Sequence, residues 1–422
     1  MNKPVTVLHL ADIHFGVDNY GVINTRTGLP TRLEDFSTSL QQAVDYALNL
    51  PVDLVVFAGD AYKRNTPSPT EQRELVKHFI KFADAGIPVV MISGNHDIPV
   101  MMGKASSIDI FKTLRRDCFH VFVNQPTVGG NFPEPPVIET NNGPIAVCCM
   151  PYISPSFMRS QERFKGLHGD ELSREYTDFF DGLIQSMAKR VPEEIPKILT
   201  AHLTVSGSKV GGYRGISLLS DEIQLTPSML AHAGYDYVAL GHIHRHQNLS
   251  PIRHVPVVYC GSIDRVDFGE AEEEKGFVIA EVSRGGAEYE FHSVDVRPFV
   301  DILIEEDSTP DITERFLKAI AREDIRDAVV KIRYIATEAE VQNLDLKRIN
   351  EALKPAHYKL GYQRIPKDQE ARRRSVMLSQ DVQLKDALRA YLREHEEYRE
   401  DTELLLQKAE EIHHAVEGSM NS

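Results

Sequence analysis

The sequence has no excess of positive charge. Among its 422 residues, Lys and Arg number 47 and Asp and Glu number 62, which gives a formal net charge of −15. A protein that coats nucleic acid by bulk charge carries the opposite sign, so the composition argues against that class. A nuclease remains compatible with this balance, because bound metal ions and a few Arg and Lys side chains can set the local field at a site.

Cysteines and long apolar runs are also scarce. The four cysteines (Cys118, Cys148, Cys149 and Cys260) form no CxxC pair, which predicts reduced thiols rather than a disulfide framework. No window approaches the roughly 20 apolar residues that span a bilayer. The N-terminal residues lack the basic start, apolar stretch and cleavage site of a secretory signal. We therefore expect a cytoplasmic protein with no membrane contact.

The first half of the chain alternates short apolar runs with amphipathic stretches, which is typical of a layered α/β domain. We place this domain at residues 1–294. The helix candidates are residues 32–48 and 69–85. The strand candidates are residues 5–10, 53–58, 88–92, 145–150, 198–201, 237–240, 255–260, 276–282 and 287–296.

The pattern changes after residue 294. Residues 295–366 alternate strand-like and helix-like segments and predict a small α/β domain. Residues 367–380 are polar and predict a linker. Residues 381–422 carry apolar side chains at helical spacing. About 35 residues of helix with one apolar side cannot form a core alone, so they must dock on this chain or on a partner.

Five short polar motifs follow predicted strands. They are Asp12-Ile13-His14, Gly59-Asp60, Gly94-Asn95-His96-Asp97, Ala201-His202 and Gly241-His242-Ile243-His244. The carboxyl ends of strands in an open α/β sheet face the ligand crevice, so these motifs are expected to converge there.

The residue types in these motifs suit divalent metal ions. Carboxylate, imidazole and amide oxygen together favour Mn²⁺, Fe²⁺ or Zn²⁺, and the absence of cysteine argues against a structural zinc site. Seven ligands exceed what one open catalytic ion needs, so two ions that clamp a phosphoryl transfer are the economical inference. Each motif alone has an ordinary alternative, since Gly-Asp is common in turns and a lone histidine is often a hydrogen-bonded group.

The motif set DxH, GD, GNHD, H and GHxH, in this order, resembles the calcineurin-like metallophosphoesterase superfamily. Residues 261–270 (GSIDRVDFGE) resemble the GSIxRxDFGE signature of the SbcD family, the nuclease component of the bacterial SbcCD complex. The resemblance covers nearly the whole chain. It implies a layered β-sandwich domain flanked by helices, a small α/β cap domain that binds DNA, and C-terminal partner-binding helices.

The resemblance also implies a role for each matched residue. Seven residues would be metal ligands: Asp12, His14 and His244 on one ion, Asn95, His202 and His242 on the other, and Asp60 bridging the two. His96 would stabilise the transition state or act as a general acid, and Asp97 would orient it. The cofactor implied is a pair of divalent ions, with Mn²⁺ as the family's usual metal.

DNA contacts are expected from basic residues near the motif loops. The chain has Lys63 where some relatives carry a histidine, and this lysine would contact a phosphate or be a solvated loop residue. Each of the other basic residues is also compatible with an ordinary surface charge. The candidates are Lys63, Arg64, Arg214 and Arg265, with Arg26, Arg32 and Lys209 as further possibilities.

The function implied by the resemblance is a Mn²⁺-dependent DNA nuclease. It would act as a 3′-to-5′ exonuclease on double strands and as an endonuclease on single strands or hairpins, in double-strand-break repair and recombination. Residues 381–422 would bind the coiled-coil base of an SbcC-type ATPase, or pack within the chain. Helices near 32–48 and 69–85 would form a homodimer within a heterotetramer.

Two alternatives stay open. A metallophosphatase or phosphodiesterase on nucleotides or phosphoproteins would use the same two-metal site, but it would lack a reason for the cap domain, residues 261–270 and the docking helices. A non-catalytic tether for an ATPase predicts missing ligands, and none of the seven is missing.

Overall fold

The structure is a computed structural model that describes residues 3–99, 104–114, 117–123, 134–210, 224–306, 309–366 and Lys408. The chain divides into two compact units. The first comprises the described residues within 1–301, 324–330 and 355–360, and the second comprises those within 302–323, 331–354 and 361–366, with Lys408.

Strands and helices alternate along most of the described chain. The helices are α1 (Thr31–Asn49), α2 (Pro69–Asp84), α3 (Pro155–Ser160), α4 (Gly169–Lys189), α5 (Pro227–His232), α6 (Ile312–Ala321), α7 (Glu338–Val341) and α8 (Leu346–Ala352). The strands are β1 (Val5–Leu10), β2 (Leu54–Phe57), β3 (Val89–Ile92), β4 (Phe119–Phe122), β5 (Val137–Thr140), β6 (Gly143–Met150), β7 (Lys197–His202), β8 (Thr204–Val205), β9 (Gln224–Leu225), β10 (Tyr237–Gly241), β11 (Gln247–Asn248), β12 (Val257–Tyr259), β13 (Gly276–Ser283), β14 (Gly286–Ser293), β15 (Phe299–Ile304), β16 (Val329–Ala336) and β17 (Tyr358–Pro366).

Two six-stranded mixed sheets form the centre of the first unit. The first has the order β14-β13-β1-β2-β3-β4, and the second has the order β11-β12-β10-β7-β6-β5. In the first sheet β1, β2, β3 and β4 are parallel neighbours, and in the second β6, β7, β10 and β12 are. Apart from β4, the parallel strands are buried on both faces over most of their length, which explains their nearly continuous apolar sequences.

Apolar side chains from both sheets share one core. Val7 and Val90 of the first sheet belong to the same buried cluster as Val147, Ala239 and Val258 of the second. Side chains alternate along a strand, so the opposite faces of the sheets remain for helices. Helices α1 and α2 cover the first sheet and α4 covers the second. The predicted layered β-sandwich flanked by helices is therefore confirmed.

Local sequence determines where the helices begin. Helix α2 starts at Pro69 after Ser68, whose side chain accepts a hydrogen bond from the backbone N–H of Glu71 while Glu71 bonds back to Ser68. Its predicted span of 69–85 agrees with the structure to one residue. Helix α4 was not predicted from the sequence, although Phe180 and Ile184 follow helical spacing and are buried.

The second unit contains α6, α7 and α8 and parts of the strands of a three-stranded sheet of order β15-β16-β17. Helix α6 buries Ile312, Phe316 and Ile320. The cap domain predicted at 295–366 remains a prediction as a functional unit. The linker at 367–380 lies outside the described residues, as do the helices at 381–422 apart from Lys408. Among the described helices, none has the length and apolar character to cross a bilayer.

Candidate metal centre

The polar motifs meet where parallel strands of both sheets end. From the first sheet, Asp12 and His14 follow β1, Asp60 follows β2 and Asn95 follows β3. From the second sheet, His202 is the last residue of β7, while His242 and His244 follow β10, whose last residue Gly241 pairs in register with His202. The structure therefore brings all seven predicted ligands together, and each sheet contributes to the set.

One group of donor atoms consists of Asp12, His14 and His244. Nε2 of His14 lies 2.9 Å from Nε2 of His244 and 3.8 Å from Oδ1 of Asp12. Ligand atoms of the three residues lie within 4.8 Å of one another. This is the set that the resemblance assigns to one ion.

A second group surrounds the side-chain oxygen of Asn95. Oδ1 of Asn95 lies 3.0 Å from Nε2 of His202 and 3.0 Å from Nδ1 of His242. These three residues are the set that the resemblance assigns to the other ion.

Asp60 lies between the two groups. Its Oδ2 is 3.6 Å from Nε2 of His14 and 3.5 Å from Nε2 of His202. Its other oxygen, Oδ1, accepts a hydrogen bond of 2.9 Å from the backbone N–H of His96. One carboxylate oxygen therefore faces both groups while the other is held by the backbone, which would let Asp60 bridge two ions through a single oxygen.

The donor atoms of His202, Asn95 and Asp60 converge in a way that favours a bound cation. Nδ1 of His202 donates to the carbonyl oxygen of Ala58 at 2.7 Å, because a carbonyl can only accept. Nε2 of the neutral ring is then a lone pair, and it faces the oxygens of Asn95 and Asp60, which are also acceptors. Converging acceptors are unfavourable unless a proton or a metal ion lies among them.

The pKa shifts of His202, Asp60 and Asp12 also indicate that positive charge is favoured at the centre. Although burial lowers the pKa of His202, the neighbouring Asp60 raises it to about 9. Burial raises the pKa of Asp60, but His202 and His14 lower it more, so the carboxylate is favoured. Burial of Asp12, together with nearby Asp60, raises its pKa. A divalent cation would satisfy these groups without any proton.

The backbone is strained at four of the predicted ligands. These four have φ angles in the left-handed region, which residues other than glycine rarely adopt. They are Asp12, His14, Asp60 and His242, with φ angles of 51°, 49°, 59° and 99°. Each such residue costs of order 1–3 kcal/mol, and strain of this kind clusters at functional sites. Nothing in the residue spacing predicted it, although Asp is among the residues that tolerate this region best.

Two glycines of the motifs are required for space. A Cβ atom on Gly94 would lie 2.1 Å from Oδ1 of Asp60. A Cβ atom on Gly59, which has a φ of 95°, would lie 2.6 Å from Nδ1 of His202. The glycines of the Gly-Asp and Gly-Asn-His-Asp motifs therefore let two loops approach the centre closely.

His96 lies beside the first group of donors. Its ring is edge-on to that of His14, with ring centroids 5.0 Å apart. Its Nδ1 donates to the carbonyl oxygen of Lys63 at 2.9 Å, which fixes the ring and leaves Nε2 as the nitrogen available for chemistry. Burial lowers the pKa of His96, while Asp60 opposes this effect.

The carboxylate of Asp97 contacts backbone N–H groups rather than the ring of His96. It accepts hydrogen bonds from the backbone N–H groups of Asp60 at 2.8 Å and Gly94 at 3.0 Å, and from the hydroxyl of Ser107 at 2.9 Å. Burial and the charge of Asp60 raise its pKa to about 7. The prediction that Asp97 orients His96 is wrong as to the contact, because the ring partner is a carbonyl. Asp97 instead positions the loops that carry Asp60 and Asn95.

The role of Glu270, the last residue of the signature segment, was not predicted from the sequence. Oε1 of Glu270 lies 2.7 Å from Nδ1 of His244. Burial raises the pKa of Glu270, but His244 and Lys275 lower it by more than burial raises it. The carboxylate is therefore held in the charged form. The sequence does show an acidic residue at the end of the 261–270 segment, but residue spacing alone does not reveal that its partner is His244.

Arg265 and Arg32 have structural partners, contrary to the prediction of DNA contacts. The guanidinium of Arg265 donates to carbonyl oxygens of Ala271 at 3.1 Å and Glu273 at 3.2 Å, among others. Arg32 is fully buried and pairs with Asp35 at 2.8 Å. A phosphate would have to displace these contacts, so neither side chain is suited to bind DNA.

The remaining basic candidates differ in what the structure shows. Arg64 is exposed and lies 3.0 Å from Asp18, Lys63 is half-buried, and Arg26 and Lys209 are exposed. Arg214 lies outside the described residues. Contacts of these side chains with DNA remain predictions.

Comparisons with known proteins identify relatives of the chain. The family model for calcineurin-like phosphoesterases matches residues 5–246. The SbcD component of the nuclease SbcCD from Escherichia coli (strain K12) is 27% identical over 289 residues, which cover 67% of this chain and 66% of that protein. DNA double-strand break repair protein Mre11 of Archaeoglobus fulgidus is 24% identical over 375 residues, covering 85% of this chain and 74% of that protein.

A third relative has no stated substrate. It is the uncharacterized metallophosphoesterase YhaO of Bacillus subtilis, 25% identical over 337 residues, which cover 79% of this chain and 69% of that protein. The match to the Escherichia coli SbcD protein spans 66% of its length, slightly less than two thirds.

Proposed function

Because this chain belongs to the calcineurin-like phosphoesterase family, we propose that it is a DNA nuclease that uses two divalent metal ions, with Mn²⁺ as the preferred metal. The observation that carries the proposal is the position of Asp60. Its Oδ2 lies 3.6 Å from Nε2 of His14 and 3.5 Å from Nε2 of His202, and each of these histidines belongs to a separate donor group.

The described residues have separate tasks in this proposal. Asp12, His14 and His244 would hold one ion, Asn95, His202 and His242 the other, and Asp60 both. When bound there, two ions would supply Lewis acidity for phosphoester hydrolysis.

His96 would act on the phosphate through Nε2. Because its Nδ1 proton is held by the carbonyl oxygen of Lys63, the ring can donate from Nε2 only as an imidazolium. A neutral His96 would instead present a lone pair there. The Lys63 carbonyl therefore fixes which atom of His96 can move a proton.

DNA is the favoured substrate because of the relatives and of residues 261–270. Two of the relatives are named as part of a nuclease and as a double-strand break repair protein. The GSIDRVDFGE segment places Oε1 of Glu270 2.7 Å from Nδ1 of His244, so this feature of the SbcD family would support the proposed metal centre. Lys63, Arg64 and Arg214 are the proposed phosphate contacts, with affinity that falls as salt rises.

The proposal extends to domains and partners. Residues 1–294 would form the nuclease domain, 295–366 the DNA-binding cap, 367–380 a linker, and 381–422 helices that bind an SbcC-type ATPase. Two copies of the chain would pair through the helices of the nuclease domain within a heterotetramer. A partner protein is supported by the name of the Escherichia coli relative, which describes it as one component of SbcCD.

The decisive experiment measures hydrolysis of three substrates by the full-length chain with Mn²⁺. Blunt duplex DNA and hairpin DNA test nuclease activity, with and without an SbcC-type ATPase, and p-nitrophenyl phosphate tests phosphomonoesterase activity. We expect Mn²⁺-dependent cleavage of DNA that the ATPase stimulates. Hydrolysis of the small ester with no cleavage of DNA would favour the metallophosphatase alternative and overturn the proposal.

A further inference from the structure

Glu270 contacts the nitrogen of His244 that faces away from the other ligands. Its Oε1 lies 2.7 Å from Nδ1 of His244, whereas Nε2 of the same ring lies 2.9 Å from Nε2 of His14. Only 4% of Glu270 is exposed, so water does not compete effectively for its carboxylate. The ring of His244 is thus held between a buried carboxylate on one side and the metal centre on the other.

The position of Glu270 is itself fixed by surrounding groups. Its Oε2 accepts a hydrogen bond from the backbone N–H of Val266 at 2.9 Å and lies 2.8 Å from Nζ of the buried Lys275. Arg265 donates to the carbonyl oxygens of Glu270 at 3.3 Å and Ala271 at 3.1 Å. Two other residues of the signature segment, Arg265 and Val266, therefore help to hold Glu270 in place.

The carboxylate has two effects on His244. It requires the proton of the neutral ring to be on Nδ1, so Nε2 presents its lone pair toward His14 and Asp12. It also fixes the orientation of the ring, so that Nε2 stays directed at His14. His202 receives a weaker form of this support, since its Nδ1 faces the neutral carbonyl of Ala58.

We propose, on the basis of the two-metal function above, that Glu270 is a positioning residue. It acts through His244 and strengthens the ion site of Asp12, His14 and His244, while the site of Asn95, His202 and His242 does not depend on it. The signature segment would then be a support for one of the two ions rather than a DNA contact.

A purely structural role for Glu270 is the competing explanation. Glu270 neutralises Lys275, and its loss would leave a buried cation with one partner fewer. Glu273 offers a matched control, because its Oε2 lies 2.9 Å from the same Lys275 Nζ. None of the contacts described for Glu273 involves His244. Glu273→Gln therefore removes a carboxylate from Lys275 and leaves the support of His244 in place.

The test is a calorimetric titration of the metal-free, full-length protein with Mn²⁺, which resolves the two sites. In Glu270→Gln and Glu270→Ala we expect the affinity of one site to fall 10- to 100-fold, the range typical for loss of such partners, while the other site is unchanged. Glu273→Gln should leave both affinities unchanged. Thermal unfolding of each metal-free variant shows whether it is folded.

A double-mutant cycle tests whether Glu270 acts through His244. In the His244→Asn background, Glu270→Gln should cause no further loss of Mn²⁺ affinity. Additive losses, equal weakening of both sites, or the same loss in Glu273→Gln would each overturn the proposal in favour of a structural role. Wild-type protein that binds two Mn²⁺ ions but does not cleave DNA would refute the proposed function and leave this inference testable, whereas wild type that binds no Mn²⁺ would refute both.

Discussion

Nε2 of His14 and Nε2 of His244 lie 2.9 Å apart, although 230 residues separate them in the sequence. Glu270 keeps the proton of neutral His244 on its other nitrogen, so Nε2 of His244 is a lone pair. A proton on His14 or a cation can satisfy that lone pair. On metal binding, a proton on Nε2 of His14 would have to leave that nitrogen, because Nε2 must offer its lone pair to the ion.

Removing the charge of Asp60 should disable both donor groups together. Asp60→Asn keeps the size of the side chain but weakens the group that faces His14 and His202. We expect Mn²⁺-dependent cleavage of duplex DNA to fall about 100-fold or more, with the fold retained. Asp45→Asn, on the exposed side of α1, is the matched control and should behave as wild type. Full activity in Asp60→Asn would contradict the site assignment.

Adding one methyl group at Gly94 should disturb the centre through Asp60. Because the new Cβ would lie 2.1 Å from Oδ1 of Asp60, the loop must move, at a cost of about 1–3 kcal/mol. We expect Gly94→Ala to lower the unfolding temperature and weaken Mn²⁺ binding. Gly182→Ala, inside α4 with open space around it, should instead leave metal binding unchanged and raise stability slightly. Unchanged Mn²⁺ affinity in Gly94→Ala would show that the loop tolerates the displacement.

The buried His9 should make the protein sensitive to mild acid. Nδ1 of His9 lies 3.0 Å from the hydroxyl of Tyr237, and burial lowers the pKa of His9 from 6.5 to about 3. In the unfolded chain His9 binds a proton below about pH 6.5, whereas in the folded chain it does so only below about pH 3. The protein therefore loses stability as the pH falls through this range. Between pH 7 and pH 5 the loss attributable to His9 is about 2 kcal/mol.

Urea unfolding at these two pH values measures the His9 effect against the His9→Gln variant. The variant is expected to be less stable at pH 7 but to lose less stability on going to pH 5. Equal losses in the variant and in wild type would mean that other groups cause the acid sensitivity.

Arg265 and Arg64 should respond differently to replacement by alanine. Arg265→Ala removes several hydrogen bonds to backbone carbonyls and should cost about 2 kcal/mol of stability. Arg64→Ala changes an exposed side chain and should leave stability unchanged. It should lower the slope of log affinity against log salt concentration by about 1, the amount expected for loss of one phosphate contact. Measuring both variants by urea unfolding and by DNA affinity at several salt concentrations separates these roles. A normal salt dependence in Arg64→Ala would remove Arg64 from the DNA contacts.

Local sequence predicted most of what depends on neighbours along the chain. The apolar run at 5–10 coincides with β1, and the motif residues could be placed at strand ends because each follows an apolar run directly. The exposure of Arg64 and the partial burial of Arg265 could not be predicted, since both are basic residues near motif loops. Their difference depends on which carbonyl groups lie within reach in the folded chain, and residue spacing does not carry that information.

The same limit explains the errors at the centre. Asp97 follows His96 in the sequence, but its carboxylate contacts the backbone of Asp60, 37 residues away. Glu270 was overlooked because its partner His244 is 26 residues away on a different loop. The left-handed backbone of Asp12 and Asp60 results from tertiary packing that holds both residues against their local preference.

The proposed ligands are divided between two sheets, and this division has a thermodynamic consequence. Asp12, His14, Asp60 and Asn95 come from one sheet, and His202, His242 and His244 come from the other. Each bound ion would therefore act as a cross-link between the layers, and a chelator would weaken the sandwich itself as well as the chemistry. At a free metal concentration about 100 times the dissociation constant, each site would add about 2.7 kcal/mol to the free energy of unfolding.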